Sequence, residues 1–462
     1  MLLGAIALAG LAVRVAYVLV ERRDVEYGGD SFFYHEGANL LADGKGFISA
    51  LDYLDSPYDI PVGREVEAAD HPPLYLVWLA LPSFVGLTGT TAHLLWSCVL
   101  GTATVAVAGL AGREVAGPRA GLLAAGFAAV YPNMWVYDGF LLSETMAILT
   151  ASLAVLCAYR FWKGPSTGRI VALGVVCGLA ALSRSELLLL APLVLAPLAL
   201  RAAGATRRRR WQWLAVGAVA VALPIAPWVG YNLTRFEKPV FLSTGFEVTL
   251  TSANCDPTYY GETLGYWNFG CVAPVRVQAA EDGLDQSEEA TRFRRTAFDY
   301  IGDHLGRVPV VVAARWGRIT GLYRPTQQVQ LDQVPEAREA WVAWSAQIGY
   351  YVVALLAIGG VIALRRRRVV VYPLLALPAI VMVAVTVTFA TTRYRASAEP
   401  ALVILAGVAV DAWLRGRVSG ERRGDTGSDR RDRSSPASPP GAAASEPAPP
   451  PRGSASSAAR FH

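Results

Sequence analysis

Acidic, histidine and arginine side chains stand in the gaps between long apolar segments of this sequence. Asp30 and His71 lie in the first long gap, and Glu144, Arg184 and Arg393 border later apolar segments. Ionisable groups near lipid are costly and usually serve a function. A carboxylate can take a proton from an attacking hydroxyl, and guanidinium groups bind phosphate well. The pattern therefore predicts an active site at a membrane surface.

Apolar segments of membrane-spanning length make up much of the chain. Of the 462 residues, 53% are hydrophobic and only 17% are charged, which excludes an ordinary soluble domain. About 20 apolar residues are enough to cross a bilayer. We therefore expect an all-α polytopic membrane protein with about ten transmembrane helices, at 3–20, 91–111, 120–136, 143–160, 169–183, 187–201, 212–230, 345–364, 369–390 and 398–414.

Arginine and lysine are concentrated in alternate short gaps, and this bias sets the expected orientation. One set of gaps includes the basic runs 207–210 and 365–368, whereas the other set holds only Arg184, Arg393 and Arg395. Because basic loops stay in the cytoplasm, we expect both termini inside the cell and the candidate site on the outer face of the plasma membrane. The net charge of +5 follows from these loops and a basic tail, so it indicates no nucleic-acid partner.

Four regions follow from this topology. Residues 1–230 are predicted to form an N-terminal transmembrane catalytic module with an outer loop at 21–71, and 231–340 a second extracytoplasmic region. Residues 341–414 hold the last transmembrane helices, and 415–462 form a disordered cytoplasmic tail. The apolar run 74–87 is short and contains Pro82, which favours a helix on or dipping into the outer surface. We expect the two outer loop regions to shape a cavity there.

Two of the five cysteines stand outside the predicted spans. Cys255 and Cys271 share the second outer region, and that compartment permits disulfides. We therefore predict that they form a disulfide bond.

Four stretches of the sequence, in order, resemble motifs of the C-type glycosyltransferases. They are Gly29-Asp30-Ser31-Phe32-Phe33-Tyr34 with the run 38–47, His71-Pro72-Pro73-Leu74-Tyr75, Tyr131-Pro132 followed by Ser143-Glu144, and Arg393-Tyr394-Arg395 followed by Glu399-Pro400. The set is similar to the branch that contains protein O-mannosyltransferases and the aminoarabinose transferase of lipid A. Asp30-Ser31 stands where the O-mannosyltransferases carry Asp-Glu. The resemblance implies a sugar donor held on a polyprenyl phosphate and an extracytoplasmic acceptor, which is a protein, a lipid or a cell-wall glycan.

The arginines on the outer side are the predicted ligands of the donor phosphate. Arg184, Arg393 and Arg395 would stabilise the negative charge that develops on the leaving phosphate. The alternative is that Arg184 and Arg395 pair with the nearby Glu186 and Glu399, or anchor helices at the interface.

Asp30 is the predicted base of an inverting displacement, because one carboxylate suffices when no covalent sugar intermediate forms. An aspartate after Gly-Gly also suits a helix cap, and that alternative stays open.

The remaining candidates have less specific signals. Glu144 is expected to orient the acceptor, to bind a metal or to favour a helix start through the dipole. His71 would contact a substrate or cap the Pro-Pro helix. Tyr34, Tyr394 and Lys45 are predicted substrate contacts. A divalent cation, Mg²⁺ or Mn²⁺, is compatible with the chemistry, but Asp30 and Glu144 alone do not define its ligands.

Two other functions are compatible with an apolar bundle. A transporter or flippase of a lipid-linked sugar would place polar groups near the membrane midplane, where Arg14 is the main charge. A noncatalytic membrane assembly protein would use only its outer loops. The gathering of acids and arginines on one side favours the glycosyltransferase.

Overall fold

Long apolar helices dominate the N-terminal half of the chain. The computed structural model describes residues 1–23, 25, 27–54 and 62–428, with side chains described as far as 416. The helices of this half are α1 Leu2–Tyr17, α2 Gly29–Ala42, α3 Ala50–Leu54, α4 Leu74–Ser83, α5 Thr90–Ala116, α6 Pro118–Val130, α7 Glu144–Lys163, α8 Thr167–Ser183, α9 Ala196–Leu200 and α10 Arg207–Asn232. π-Helical turns extend α1 over Val18–Arg22 and precede α9 over Ala191–Leu195.

The second half begins with short helices and ends with long ones. They are α11 Gly245–Ala253, α12 Asp256–Tyr259, α13 Ala273–Glu281, α14 Gln286–Asp303, α15 Val308–Ile319, α16 Pro325–Gln333, α17 Ala340–Arg366, α18 Tyr372–Val387 and α19 Glu399–Ser428. Short 3₁₀ turns lie at Pro132–Met134, Val136–Gly139, Ser185–Leu189, Phe269–Cys271 and Thr392–Ala398. Within the described ranges the only β-type pairing is an isolated antiparallel bridge between Ile48 and Glu67. The predicted all-α class is confirmed.

Among the residues that the structure describes, six helical segments are long and apolar enough to cross a membrane. They are Leu2–Arg22, Thr90–Ala116, Glu144–Lys163, Arg207–Asn232, Ala340–Arg366 and Thr392–Gly416. The other four predicted spans correspond to shorter apolar helices: α6, α8, the broken stretch Ser185–Leu200 and α18. The turn at Pro132 ends α6 after 13 residues, or about 20 Å, which is less than the bilayer core of about 30 Å. By helix length, the described residues therefore confirm six of the about ten predicted transmembrane helices.

The predicted surface helix is present as α4. It follows Pro72-Pro73, covers ten residues and ends one residue after Pro82. At about 15 Å it is too short to cross a bilayer.

Small residues bring the long helices into close contact. Gly109 of α5 faces Gly121 of α6, and a Cβ atom at Gly174 of α8 would stand 2.6 Å from the carbonyl oxygen of Gly217 on α10. Such approaches need residues without bulky side chains, as in other membrane helix pairs. The glycine and alanine content of these segments thus sets the tight packing of the bundle.

The two ends of the bundle differ in chemistry. α7 begins at Glu144 and ends at Lys163, so these residues are separated by about 30 Å. Lys163 lies 3.2 Å from Glu114 at what we call the basic end. Also at the basic end, Arg119 Nε and Arg367 Nη1 lie 3.8 and 3.6 Å from the carboxylate of Asp411. The end that carries Glu144 is called the site end below.

The 231–340 region is tied together by a disulfide and by arginines. Cys255 and Cys271 are bonded, with Cα atoms 6.5 Å apart, which confirms the predicted pair. Arg315 of α15 donates to the carbonyl oxygen of Ala253 at 2.7 Å, and Arg318 donates to that of Leu264 at 2.6 Å. The disulfide-bonded loop therefore rests on α15.

The C-terminal end continues as helix beyond the predicted last span. Residues from Leu414 form a separate unit, and α19 extends as far as Ser428. α19 thus covers the first residues of the tail that we predicted to be disordered. Residues 429–462, the rest of that tail, lie outside the described residues.

A buried ion pair fixes α1 to the turn that follows α6. Arg14 Nε lies 2.7 Å from Asp138 Oδ2, and the two side chains are 0% and 2% exposed. Arg14 also donates to the carbonyl oxygens of Ala128 and Met134 at 3.2 and 3.1 Å. The single charge within the predicted span 3–20 is therefore paired with the turn that follows α6.

Breaking this pair should destabilise the protein more than replacing it. Arg14→Met and Asp138→Leu should each lower the free energy of unfolding by about 3–5 kcal/mol, because each leaves an unpaired buried charge. The double variant should recover most of that loss. Thermal unfolding of the purified protein in detergent measures both effects. A double variant as unstable as the sum of the single ones would contradict a pairwise origin.

Candidate active site

Arg393 is the centre of an ionic cluster at the site end. Its Nη2 atom lies 2.8 Å from Asp30 Oδ2, its Nε 2.9 Å from Glu144 Oε1, and its Nη1 3.3 Å from Glu336 Oε2. The three carboxylates come from α2, from the start of α7 and from the loop after α16. One guanidinium group therefore joins three distant parts of the chain.

Asp30 reaches the cluster from the first turn of α2. Gly28 is the N-cap residue, and no side chain makes a capping hydrogen bond there. Gly29 has φ +55°, a conformation that glycine adopts without steric cost. The Asp30 carboxylate points at Arg393 and His71 and makes no cap, so the alternative role as a cap is not observed.

His71 lies on the other side of Asp30. Its Nε2 atom is 3.5 Å from Asp30 Oδ1, and the Tyr34 ring stacks on the imidazole with centroids 5.1 Å apart. Burial is the largest single influence and lowers the pKa of His71, but the charge and hydrogen bond of Asp30, together with the charge of Asp70, raise that pKa above its usual 6.5. Burial raises the pKa of Asp30, but the charges of Arg393 and His71 hold it well below its usual range.

Glu144 joins two of the predicted arginines. Its Oε1 atom accepts from Arg393 and lies 2.7 Å from Arg184 Nη1, and its side chain is 0% exposed. Glu144 is the first residue of α7, where the helix dipole favours a carboxylate. Arg184 also pairs with Glu186 at 2.6 Å and lies over the ring of Tyr394 at 4.9 Å. The alternative pairing of Arg184 with Glu186 is thus present together with its place in the cluster.

Two of the predicted site residues have other partners. Arg395 is buried, pairs with Glu399 at 3.0 Å and lies 3.6 Å from the ring centroid of Tyr350. Lys45 pairs with Glu65 at a more exposed position and lies over Tyr53. The structure does not bring either of these two side chains to Arg393.

Glu336 is a member of the cluster that the sequence analysis missed. Besides Arg393, it accepts hydrogen bonds from Thr391 at 3.3 Å and from Tyr266 at 3.4 Å. Burial raises the pKa of its carboxyl, and the nearby arginines oppose that shift. Glu336 lies in a polar stretch with no motif around it, so no local signal in the sequence distinguishes it.

The cluster is not arranged as a metal site. Within the described ranges, no group of three or more Asp, Glu, His and Cys side chains could hold a metal ion. Arg393 occupies the position between Asp30, Glu144 and Glu336 where a divalent cation would need six or more oxygen ligands. The residues present therefore do not fit Mg²⁺ or Mn²⁺ in this arrangement.

The ion pairs described above link the residues of the cluster to one another. Two surface cavities, of about 300 and 350 Å³, lie elsewhere. The first is lined by Cys157, Arg160 and Arg169 among others, and the second by Tyr260, His304 and Arg307 among others. Neither of these two cavities includes a residue of the cluster.

Comparison with known proteins supports the resemblance seen in the motifs. Residues 70–231 match the family model described as dolichyl-phosphate-mannose-protein mannosyltransferase. This range covers about a third of the chain and includes His71, Glu144 and Arg184. No curated protein sequence matches the chain significantly.

Solved structures show the same fold. The archaeal oligosaccharyltransferase of Archaeoglobus fulgidus, in complex with an inhibitory peptide and a dolichol-phosphate, is 15% identical with a TM-score of 0.53, over 92% of this chain and 51% of its own. The same enzyme tethered to an acceptor peptide is 14% identical with a TM-score of 0.52, over 90% and 50%. This chain thus spans about half the length of that oligosaccharyltransferase. ArnT from Cupriavidus metallidurans bound to undecaprenyl phosphate is 16% identical over 88% and 77%, but its TM-score of 0.43 is too low to support a conclusion.

The His71–Asp30 pair should make stability depend on pH. Because the pKa of His71 is raised in the folded protein, the pair stabilises the fold fully below pH 6.5, and this contribution is lost as the pH rises through the raised pKa. Thermal unfolding between pH 6 and 9 should show that loss in the wild type and not in His71→Gln. The control His304→Gln, which removes a histidine outside the cluster, should keep it. An unchanged pH dependence in His71→Gln would contradict the pairing.

Proposed function

We propose that this protein is a membrane glycosyltransferase that moves a sugar from a polyprenyl-phosphate donor to an extracytoplasmic acceptor. The observation that carries the proposal is the contact of Arg393 with Asp30 and Glu144 at the end of an apolar bundle. The matched family model names a dolichyl-phosphate sugar, and the oligosaccharyltransferase of the same fold was solved with a dolichol-phosphate. Both support a prenyl-phosphate donor.

The donor phosphate would bind to Arg393 and Arg184. The isoprenoid chain stays in lipid, so its phosphate lies at the membrane boundary, and the cluster lies at the ends of the apolar helices. Glu144 holds both guanidinium groups on one carboxylate oxygen and fixes their spacing. As the bond between sugar and phosphate breaks, these groups stabilise the charge on the leaving phosphate. Arginine suits this task because its planar fork of donors matches phosphate.

Asp30 would act as the base. Its side chain is 34% exposed, whereas those of Glu144 and Glu336 are 0% and 6% exposed, so it is the carboxylate most open to an acceptor. The acceptor proton passes to Asp30, the acceptor atom forms a bond to the anomeric carbon, and the bond from that carbon to the phosphate oxygen breaks. Polyprenyl phosphate leaves with the bonding electrons. The sugar is transferred with inversion.

The neighbouring residues would position these groups. His71 holds the second oxygen of Asp30, and Tyr34 stacks on His71. Tyr394 packs against Arg184. Arg395 and Lys45, which bind Glu399 and Glu65, are assigned supporting roles away from the phosphate. The orientation proposed from the basic loops puts both termini in the cytoplasm and the cluster outside.

A transporter is less well supported by the arrangement of charges. Transporters place their ionisable groups near the midplane and keep them accessible to a substrate. Here the ion pair inside the bundle, Arg14 with Asp138, has almost no exposed surface. Asp30 and Arg393, which are partly exposed, lie at the site end instead. Transfer at a surface fits that distribution.

Loss of the base should abolish turnover. Purified protein supplied with synthetic polyprenyl-phosphate sugars and an acceptor panel should form product, and Asp30→Asn should reduce the rate by roughly 10²–10⁴-fold, the usual contribution of a general base. Asp43→Asn is the matched control, because Asp43 is exposed at the other end of the same helix. Near-normal turnover by Asp30→Asn would remove Asp30 from this role.

Replacement of the cluster arginines should also be costly. Arg393→Lys should reduce turnover at least tenfold although the charge is kept, since lysine cannot form the planar fork. Movement of the lipid across a vesicle membrane without product formation would support the transporter instead.

A further inference from the structure

We propose that the donor phosphate displaces Asp30 from the guanidinium group of Arg393. We further propose that Glu336 is the positioning residue that keeps this guanidinium group in place during the exchange. The inference rests on the proposed function and adds to it a role for a residue that no motif identifies. It also specifies which contact of the ligand-free cluster must open.

All three nitrogen atoms of Arg393 are engaged in the structure. Nε binds Glu144, Nη2 binds Asp30 and Nη1 binds Glu336. A guanidinium group has five N–H donors in one plane, and two parallel ones are needed to bind a phosphate as a fork. The three contacts use three of these five donors, one on each nitrogen. A phosphate that binds two parallel donors therefore lies beside at least one of the bound carboxylates, and repulsion between the two anions favours the departure of that carboxylate.

Asp30 is the carboxylate that is free to move. Glu144 is fully buried and is also held by Arg184. Glu336 is 6% exposed and is held by Thr391 and Tyr266. Asp30 is 34% exposed, and when it leaves Arg393 it keeps His71 as a partner at its other oxygen. The exchange thus costs the cluster one contact and leaves no carboxylate unpaired.

The exchange prepares Asp30 for proton transfer. In the ligand-free state the charge of Arg393 is the main influence that opposes burial and keeps the pKa of Asp30 low. Once the phosphate holds Arg393, that influence is shared with a negative group and Asp30 becomes a stronger base. The acceptor is therefore activated only when a donor is present. No covalent bond changes during this step.

Glu336 and Glu144 hold Arg393 from two sides while Asp30 is away. Arg338, two residues after Glu336, forms a second ion pair and lies 3.5 Å from Asp332. Asp332 also accepts a hydrogen bond from Thr392, the neighbour of Arg393, at 2.8 Å. The end of α16 and the loop after it thus contact the segment of Arg393 at two points, and Glu336 supplies the contact with the guanidinium itself.

Binding of a sugar-free prenyl phosphate tests the exchange. In nanodiscs, Asp30→Asn should bind it roughly tenfold more tightly than the wild type, because one charge-assisted hydrogen bond no longer has to be broken. Glu336→Ala should bind it more weakly, and Glu336→Gln, which keeps an acceptor oxygen for Nη1, should restore much of the affinity. Asp43→Asn should match the wild type. A merely electrostatic effect would instead tighten binding in every variant that loses a carboxylate.

The pH profiles of the wild type give a second test that needs no variant. The acid limb of kcat/KM for the donor reports the free enzyme, and that of kcat reports the donor complex. The exchange predicts that the limb of kcat lies at higher pH. Coincident limbs, or unchanged binding in Asp30→Asn, would overturn the exchange, and wild-type affinity in Glu336→Ala would overturn the role of Glu336. If the wild type neither binds prenyl phosphate nor forms product, the proposed function itself fails.

Discussion

The contact of one guanidinium group with three carboxylates is the constraint on which the site end depends. Asp30, Glu144 and Glu336 would repel one another strongly at this spacing, and Arg393 is the group that all three contact. Charges removed from water need such partners, because an unpaired ion in an apolar environment is very costly. The fold therefore has to bring α2, α7 and the 231–340 region together at Arg393.

Further ion pairs extend the same principle through the bundle. The pair of Arg14 with Asp138 holds α1 to the turn after α6. The pair of Arg395 with Glu399 joins the turn that carries Arg393 to the start of α19. Each of these pairs is almost completely buried, unlike the pair of Arg393 with Asp30. The distribution separates fully buried charges, which hold helices together, from charges that remain partly exposed. Exposure, rather than residue type, distinguishes the two groups.

Much of the fold and part of the site could be predicted from the sequence. Apolar segment length predicts helices, and the order of the motifs predicts that Asp30, Glu144 and Arg393 meet, which they do. Arg395 was predicted to bind the donor phosphate, but in the structure it pairs with Glu399 and does not contact the cluster. Only the packed structure shows this difference. Glu336 could not be found, since its contact with Arg393 joins residues far apart in the chain and depends on how the 231–340 region folds. The predicted span 120–136 extends past the end of α6 at Val130, because a 3₁₀ turn begins at Pro132. Local backbone geometry decides that ending.

The disulfide-bonded loop has a consequence for how the protein matures. Gly265, inside the ring closed by Cys255 and Cys271, accepts a hydrogen bond from the backbone of Ala390 at 3.0 Å, three residues before Arg393. Thiol oxidation therefore restricts a loop that is hydrogen-bonded directly to the segment that carries Arg393. A newly made polypeptide whose thiols are still reduced holds that segment less firmly. Oxidation of the two cysteines would thus complete the assembly of the cluster around Arg393.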